Sequence, residues 1–169
     1  NEAHDIDMAI LNDDTGVFVL AWCDDTDDSA RYQVLYTNGS AYGSANSFDT
    51  AAGNTCMISV SALNKTAFVI AYGDGGAGTP DWTIAAYDIN NNVIVSPFDV
   101  DADIGAAFDI GICTLNSTRY AGVAADANDN DATYTIYNMA DQILGQNDTD
   151  TSIAAGGASS QKADCSAIS

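Results

Sequence analysis

Ile6-Asp-Met-Ala-Ile-Leu11, Ile58-Ser-Val-Ser-Ala-Leu63 and Ile110-Gly-Ile-Cys-Thr-Leu115 carry one pattern at a spacing of 52 residues. Apolar residues alternate with small or polar ones, the period of a strand with one buried face. An asparagine follows each time, Asn12, Asn64 or Asn116. A second apolar run comes next: Phe18-Val-Leu-Ala-Trp22, Phe68-Val-Ile-Ala-Tyr72, and the smaller Tyr120-Ala-Gly-Val-Ala124. Each is followed by an aspartate, Asp24, Asp74 or Asp126. Third strands are expected around Tyr32 and Val34, Trp82 and Ile84, and Tyr134 and Ile136. Short fourth strands are expected near Tyr42, residues 93–95 and residues 143–144.

The expectation is therefore all-β: three four-stranded antiparallel repeats in a single domain, 1–169. The repeats run over about 4–53, 54–105 and 106–157. Residues 158–169 are left over as an orphan strand, in which Ala163, Cys165, Ala167 and Ile168 continue the first-strand pattern, displaced by one residue. Such a strand exposes N–H and C=O groups that need a partner. It either closes the first unit of its own chain or pairs with a neighbouring copy. Head-to-tail pairing of copies is heterologous and builds a filament unless the rotation closes. Closed propellers take 4 to 8 blades, so three units fit a slice of an array, a set completed by other copies, or a compact β prism or sandwich.

Composition supports this. The 169 residues suffice for one core, and the strong helix formers Glu, Lys, Arg, Leu and Gln are scarce. Of the 24 acidic residues only Glu2 is a glutamate, against four Lys plus Arg, for a formal charge of −20. That sign excludes phosphate-driven nucleic-acid binding and attraction to anionic membranes. No stretch approaches the ~20 apolar residues of a membrane span, so membrane insertion is not expected. The self-repulsion calls for condensed cations, either Ca²⁺ or high external salt. Halophilic enrichment would bring glutamate as well, which favours Ca²⁺. The start at Asn1 instead of Met suggests a processed, secreted chain.

The segments Gly16-Val-Phe-Val-Leu-Ala-Trp22 and Ala67-Phe-Val-Ile-Ala-Tyr72, with Tyr87-Asp88-Ile-Asn-Asn-Asn92 downstream, resemble the "GxFVVAW … YDxxGN" repeats of large secreted bacterial surface proteins and adhesins. The resemblance implies propeller-like blades and a place at the cell surface. The third copy departs from it, with Gly122 and Ala124 where bulky residues stand elsewhere.

Oxygen-rich clusters are the candidate metal ligands. Asp24 and Asp27 lie in Asp24-Asp-Thr-Asp-Asp28, and Asp74 occupies the matching place in the second unit. Asp99, Asp101 and Asp103 alternate ahead of Gly105, and Asp126, Asn128 and Asn130 share Asp126-Ala-Asn-Asp-Asn-Asp131. Ca²⁺ takes several such oxygens, but no complete EF-hand loop is present. Asp131 stands where its glycine belongs, Tyr137 where its glutamate belongs, and Gly105 comes one position late. The competing reading is that Asp and Asn simply make turns by bonding the local backbone.

Cys23, Cys56, Cys113 and Cys165 have no CxxC spacing and suggest two disulfides. Strand parity leans to Cys23 with Cys56 and Cys113 with Cys165. Asn-x-Ser/Thr sequons occur at Asn38, Asn64, Asn116 and Asn147, where chance predicts about two, which points to N-linked glycans and an extracellular location. The aromatic set Trp22, Tyr32, Tyr72, Trp82 and Tyr134 reads as core or, if exposed, as a carbohydrate-stacking platform. With His4 the single histidine, nucleophilic catalysis has no support, and paired aspartates leave only glycoside cleavage as an enzymatic option. The sequence thus points to a glycosylated fibre or surface-layer subunit whose partners are copies of itself. The alternative is a lectin-like or adhesive module recognising cell-surface glycans or proteins.

Overall fold

The computed structural model describes residues 3–24, 29–49, 56–74, 81–101, 109–126, 131–138, 143–149 and 165. Among these residues there is no helix, and twelve strands form three four-stranded antiparallel sheets. Sheet I holds β1 (Ala3–Asn12), β2 (Val17–Asp24), β3 (Ser29–Tyr36) and β4 (Asn46–Asp49) in that order. Sheet II holds β5 (Met57–Asn64), β6 (Ala67–Asp74), β7 (Asp81–Asp88) and β8 (Val93–Asp101). Sheet III holds β9 (Ile110–Asn116), β10 (Arg119–Asp126), β11 (Asp131–Asn138) and β12 (Ile143–Thr149). Every neighbour in a sheet is a neighbour in sequence, so each sheet is a meander built from local hairpins. None of the described sheets closes into a barrel.

Tight turns join the strands. Gly16 takes a φ of 63°, and a Cβ there would stand 2.5 Å from the Thr37 hydroxyl, so both backbone and space require glycine. Three of the Asn-x-Ser/Thr triplets close turns themselves. Asn64 Oδ1 accepts the Thr66 N–H at 2.8 Å and its hydroxyl at 3.0 Å, and Asn116 does the same for Thr118 at 2.9 and 3.0 Å. Asn38 takes the Ser40 N–H at 2.9 Å and hydroxyl at 2.7 Å. In the Tyr87-Asp88-Ile-Asn-Asn-Asn92 segment, Asp88 Oδ1 accepts from the N–H groups of Asn90 and Asn92, both at 2.8 Å, while Asn91 adopts a φ of 67°. Desolvation pushes the Asp88 carboxyl up, and the hydrogen bonds from Asn92 and Asn90 outweigh it, holding the group below its ordinary value.

The sheets pack face to face through two apolar layers. Between sheets I and II lie Val17, Val19, Ala21, Tyr32 and Val34 on one side and Ile58, Val60, Phe68, Ile70, Tyr72 and Tyr87 on the other. Between sheets II and III lie Val69, Ala71, Trp82, Ile84 and Ala86 against Ile110, Ile112, Tyr120, Ala124 and Tyr137. Each fully buried Val, Ile or Phe contributes roughly 1.5–3 kcal/mol, so the molecule is held by these seams and not by any single sheet.

Three expectations need correction. The fourth strand of sheet I is residues 46–49, with Asn46 opposite Tyr32 and Phe48 packed on Tyr72; beside Tyr42 only an isolated bridge forms, Leu35 with Ala41, and the Tyr42 N–H donates to the Val34 carbonyl at 2.9 Å. Trp82 is not the counterpart of Tyr32: Trp82 pairs with Gly73 as Ala30 pairs with Cys23, so Ile84, opposite Ala71, matches Tyr32, opposite Ala21. Finally, the apolar alternation of β1 does not mark a buried face. Ile6, Met8 and Ile10 are 58%, 65% and 68% exposed, whereas Ile58, Val60, Ile110 and Ile112 are buried.

Candidate functional site

The first strands β1, β5 and β9 stand side by side but are not paired as a ladder. Side chains join them. Asp5 Oδ2 accepts the Ile58 N–H and Asp7 Oδ2 the Val60 N–H, both at 2.8 Å. The other oxygen of each carboxylate caps its own strand, Asp5 Oδ1 taking the Ile6 N–H at 3.0 Å and Asp7 Oδ1 the Met8 N–H at 2.8 Å. One strand further on, hydroxyls do the same work. Ser59 Oγ accepts the Ile112 N–H at 3.2 Å and Ser61 Oγ the Thr114 N–H at 3.1 Å, while the Thr114 hydroxyl bonds the Ala62 carbonyl. These latches were missed in the sequence. The signal is the pair Asp5 and Asp7, two apart, facing away from Ile6 and Met8; one step of 52 residues on, Ser59 matches Asp7, whereas Met57 matches Asp5 and Ser61 matches Ala9.

The outer face of sheet I carries exposed apolar side chains. Register sets it out in three rows: Ile6, Trp22 and Arg31; Met8, Leu20 and Gln33; Ile10, Phe18 and Leu35. A groove of about 360 Å³ opens there, lined by Met8, Ile10, Asp13, Gly16, Phe18 and Thr37. The same faces of sheets II and III are covered, each by the preceding sheet.

Two disulfides are present, Cys23–Cys56 with Cα atoms 5.9 Å apart and Cys113–Cys165 with Cα atoms 5.3 Å apart. These are the pairs towards which strand parity leans. The first ties the end of β2 to the residue before β5, across the seam between sheets I and II. The second holds Cys165 against sheet III, where its Sγ lies 3.9 Å from the Ala121 carbonyl.

Among the described residues the candidate metal ligands are not gathered together. Asp24, Asp74 and Asp126 end β2, β6 and β10, opposite Ser29, Asp81 and Asp131. Asp24 stands 3.8 Å from Arg31. Asp99 accepts the Thr83 hydroxyl at 3.0 Å, and Asp101 ends β8 opposite Trp82. Asp27, Asp103, Asn128 and Asn130 lie outside the described residues. Among the described residues no three His, Cys, Asp or Glu side chains converge.

Of the sequon asparagines, Asn38, Asn64 and Asn116 are exposed in turns, and Asn147 lies in β12 opposite Tyr134. The aromatic set divides. Tyr32, Tyr72 and Trp82 are core, Trp22 is half-buried on the open face of sheet I, and Tyr134 is 39% exposed. Burial pushes the Tyr32 and Tyr87 phenols up to about 12 and Tyr72 higher still.

No family model matches the chain, and no curated protein matches it. Among solved structures it is similar to a chain described as the crystal structure of the eukaryotic initiation factor, with a TM-score of 0.53 and 13% identity. The match covers 86% of this chain and 32% of that one, so this chain spans about a third of its length. At that identity the likeness concerns the fold alone.

Proposed function

We propose that the chain is a non-enzymatic structural subunit of an extracellular, glycosylated fibre or surface layer, assembling head to tail with copies of itself. The observation that carries this is a stack of three sheets with Ile6, Met8 and Ile10 laid bare at one end and Cys165 anchored to sheet III at the other. In this reading the sheets are propeller-blade-like repeats, and strand pairing at the chain terminus joins one copy to the next. Two disulfides fit an oxidising location, and among the described residues no helix is long and apolar enough to cross a membrane. The exposed turns at Asn38, Asn64 and Asn116 would carry glycans away from the seams, and Ca²⁺ would offset the charge of −20 through the aspartate clusters. Negative-stain electron microscopy of the native material tests this: filaments are expected, and monomers that stay dispersed at high concentration contradict it.

A second reading, a lectin-like or adhesive module, is favoured by Tyr36 and Tyr42. Both are exposed, with ring centroids 5.4 Å apart and planes at 46°. Saturable binding on a glycan array, lost in Tyr42→Ala, would favour it.

A further inference from the structure

We infer that the contact between copies is made by a sheet face, and that the open face of sheet I receives the outer face of sheet III of a second copy. The inference rests on the head-to-tail reading and changes how the joint is built. Within the chain, one kind of face always packs on the other. The face of sheet II bearing Ile58, Ile70 and Tyr72 receives sheet I, and the face of sheet III bearing Ile110, Tyr120 and Tyr137 receives sheet II. Sheet I has the receiving face, with Met8, Ile10, Phe18 and Leu20, and among the described residues no sheet packs on it. Sheet III has the complementary face, with Tyr134 39% exposed opposite half-buried Val123, and Leu115 47% exposed towards the β9–β10 turn.

Charge agrees with this pairing. Inside the chain, Lys65 in the turn of sheet II meets Asp14 in the turn of sheet I. Arg119, exposed at the turn end of sheet III's outer face, would meet the Asp13 that borders the groove on sheet I. A cation on the one face and an aspartate on the other are complementary charges.

Strand addition at β1 is disfavoured, because the Ile6 and Met8 N–H groups that face the row of first strands are already taken by Asp5 and Asp7. Cys165 lies over the β9 side of sheet III's face, so the contact falls on β10 and β11. Two strands about 4.8 Å apart and roughly seven residues long offer a flat footprint of about 220 Å² per partner. That is below the range of a standard interface, so association should be weak and concentration-dependent.

The test uses the full chain with its disulfides intact, in sedimentation velocity at rising concentration. Met8→Glu/Ile10→Glu spoils the sheet I face and Tyr134→Glu/Val123→Glu spoils the sheet III face. Circular dichroism and thermal melts check that each still folds, with Tyr134→Glu alone as the milder form. Wild type should associate, each variant should be at least tenfold weaker, and an equimolar mixture of the two variants should form a dimer that grows no further, since it retains one good pair of faces. Arg119→Asp should weaken association and Asp13→Arg in the same chain should restore it. Variants that are each monomeric but fail to combine overturn the sheet I to sheet III pairing. A Met8→Glu/Ile10→Glu chain that assembles like wild type overturns the face contact while leaving head-to-tail strand pairing standing. Wild type that remains monomeric overturns both.

Discussion

The two seams of the molecule solve one packing problem with different chemistry. Between sheets I and II the layer is aromatic: Tyr32 meets Phe68 and Tyr87 with centroids 5.0 Å away, and Phe48 meets Tyr72 at 5.0 Å. Carboxylates latch the strands, and Cys23–Cys56 crosses the seam. Between sheets II and III Trp82 joins Tyr120 and Tyr137, whose rings stack with centroids 5.6 Å apart. Trp82 is fully buried on Gly122, where a Cβ would stand 2.5 Å from the indole, and hydroxyls replace the carboxylates. The change of latch has a physical cause. Ser59 Oγ donates to Asp7 at 3.3 Å, so a carboxylate at 59 would meet the Asp7 carboxylate and repel it. A row of first strands can carry one layer of carboxylates, and the next must be neutral.

That contrast is broken most strongly at Trp82. Trp82→Ala leaves a cavity facing Gly122 and should cost about 3–5 kcal/mol by chemical denaturation, with Gly122→Leu comparably damaging by overpacking. Opening the Cys23–Cys56 bridge with a Ser pair comes next. Its separation of 33 residues corresponds to about 3–4 kcal/mol of unfolded-state entropy, and hydrogen exchange should show the seam between sheets I and II loosened while Trp82 fluorescence stays native.

The latches should rank by charge. Asp7→Ala removes a charged acceptor from the Val60 and Met8 N–H groups and should cost about 2 kcal/mol, against about 1 kcal/mol for Ser61→Ala. Equal losses in thermal melts would contradict the distinction. The smallest effect is a titration. Tyr32 and Tyr87 are raised to about 12 in the fold from an ordinary 10, so the stability they contribute is intact below pH 10 and is lost as pH rises from 10 to 12. At pH 10.5 the loss should be under about 1 kcal/mol per ring. Phenolate absorbance should appear with unfolding, and Tyr87→Phe should shift that transition upward.

Much of the strand plan is legible in the sequence, because each strand pairs with its sequence neighbours and the alternation of Val17 to Asp24 is written directly into its burial. The latch residues were less visible, since Asp5 and Asp7 look like any solvated face until β5 is placed beside them. Near Tyr42 the pairing with β3 is a single bridge, Leu35 with Ala41, and the ladder proper begins only at Asn46, so the strand reads in the right neighbourhood but a few residues early. Gly122 reads as a weakened strand and is in fact the recess for Trp82. The exposure of Ile6, Met8 and Ile10 could not be read from periodicity, which gives the alternation of a strand but not what stands in front of it.

Hydrogen–deuterium exchange on the intact chain, dilute against concentrated, tests the central claim most directly. Joint protection gained in residues 6–22 and 119–136 on concentration, with the Asp5- and Asp7-capped amides unchanged in the dilute state, is the predicted result. Protection that is unchanged in both regions, or gained in only one of them, would contradict it.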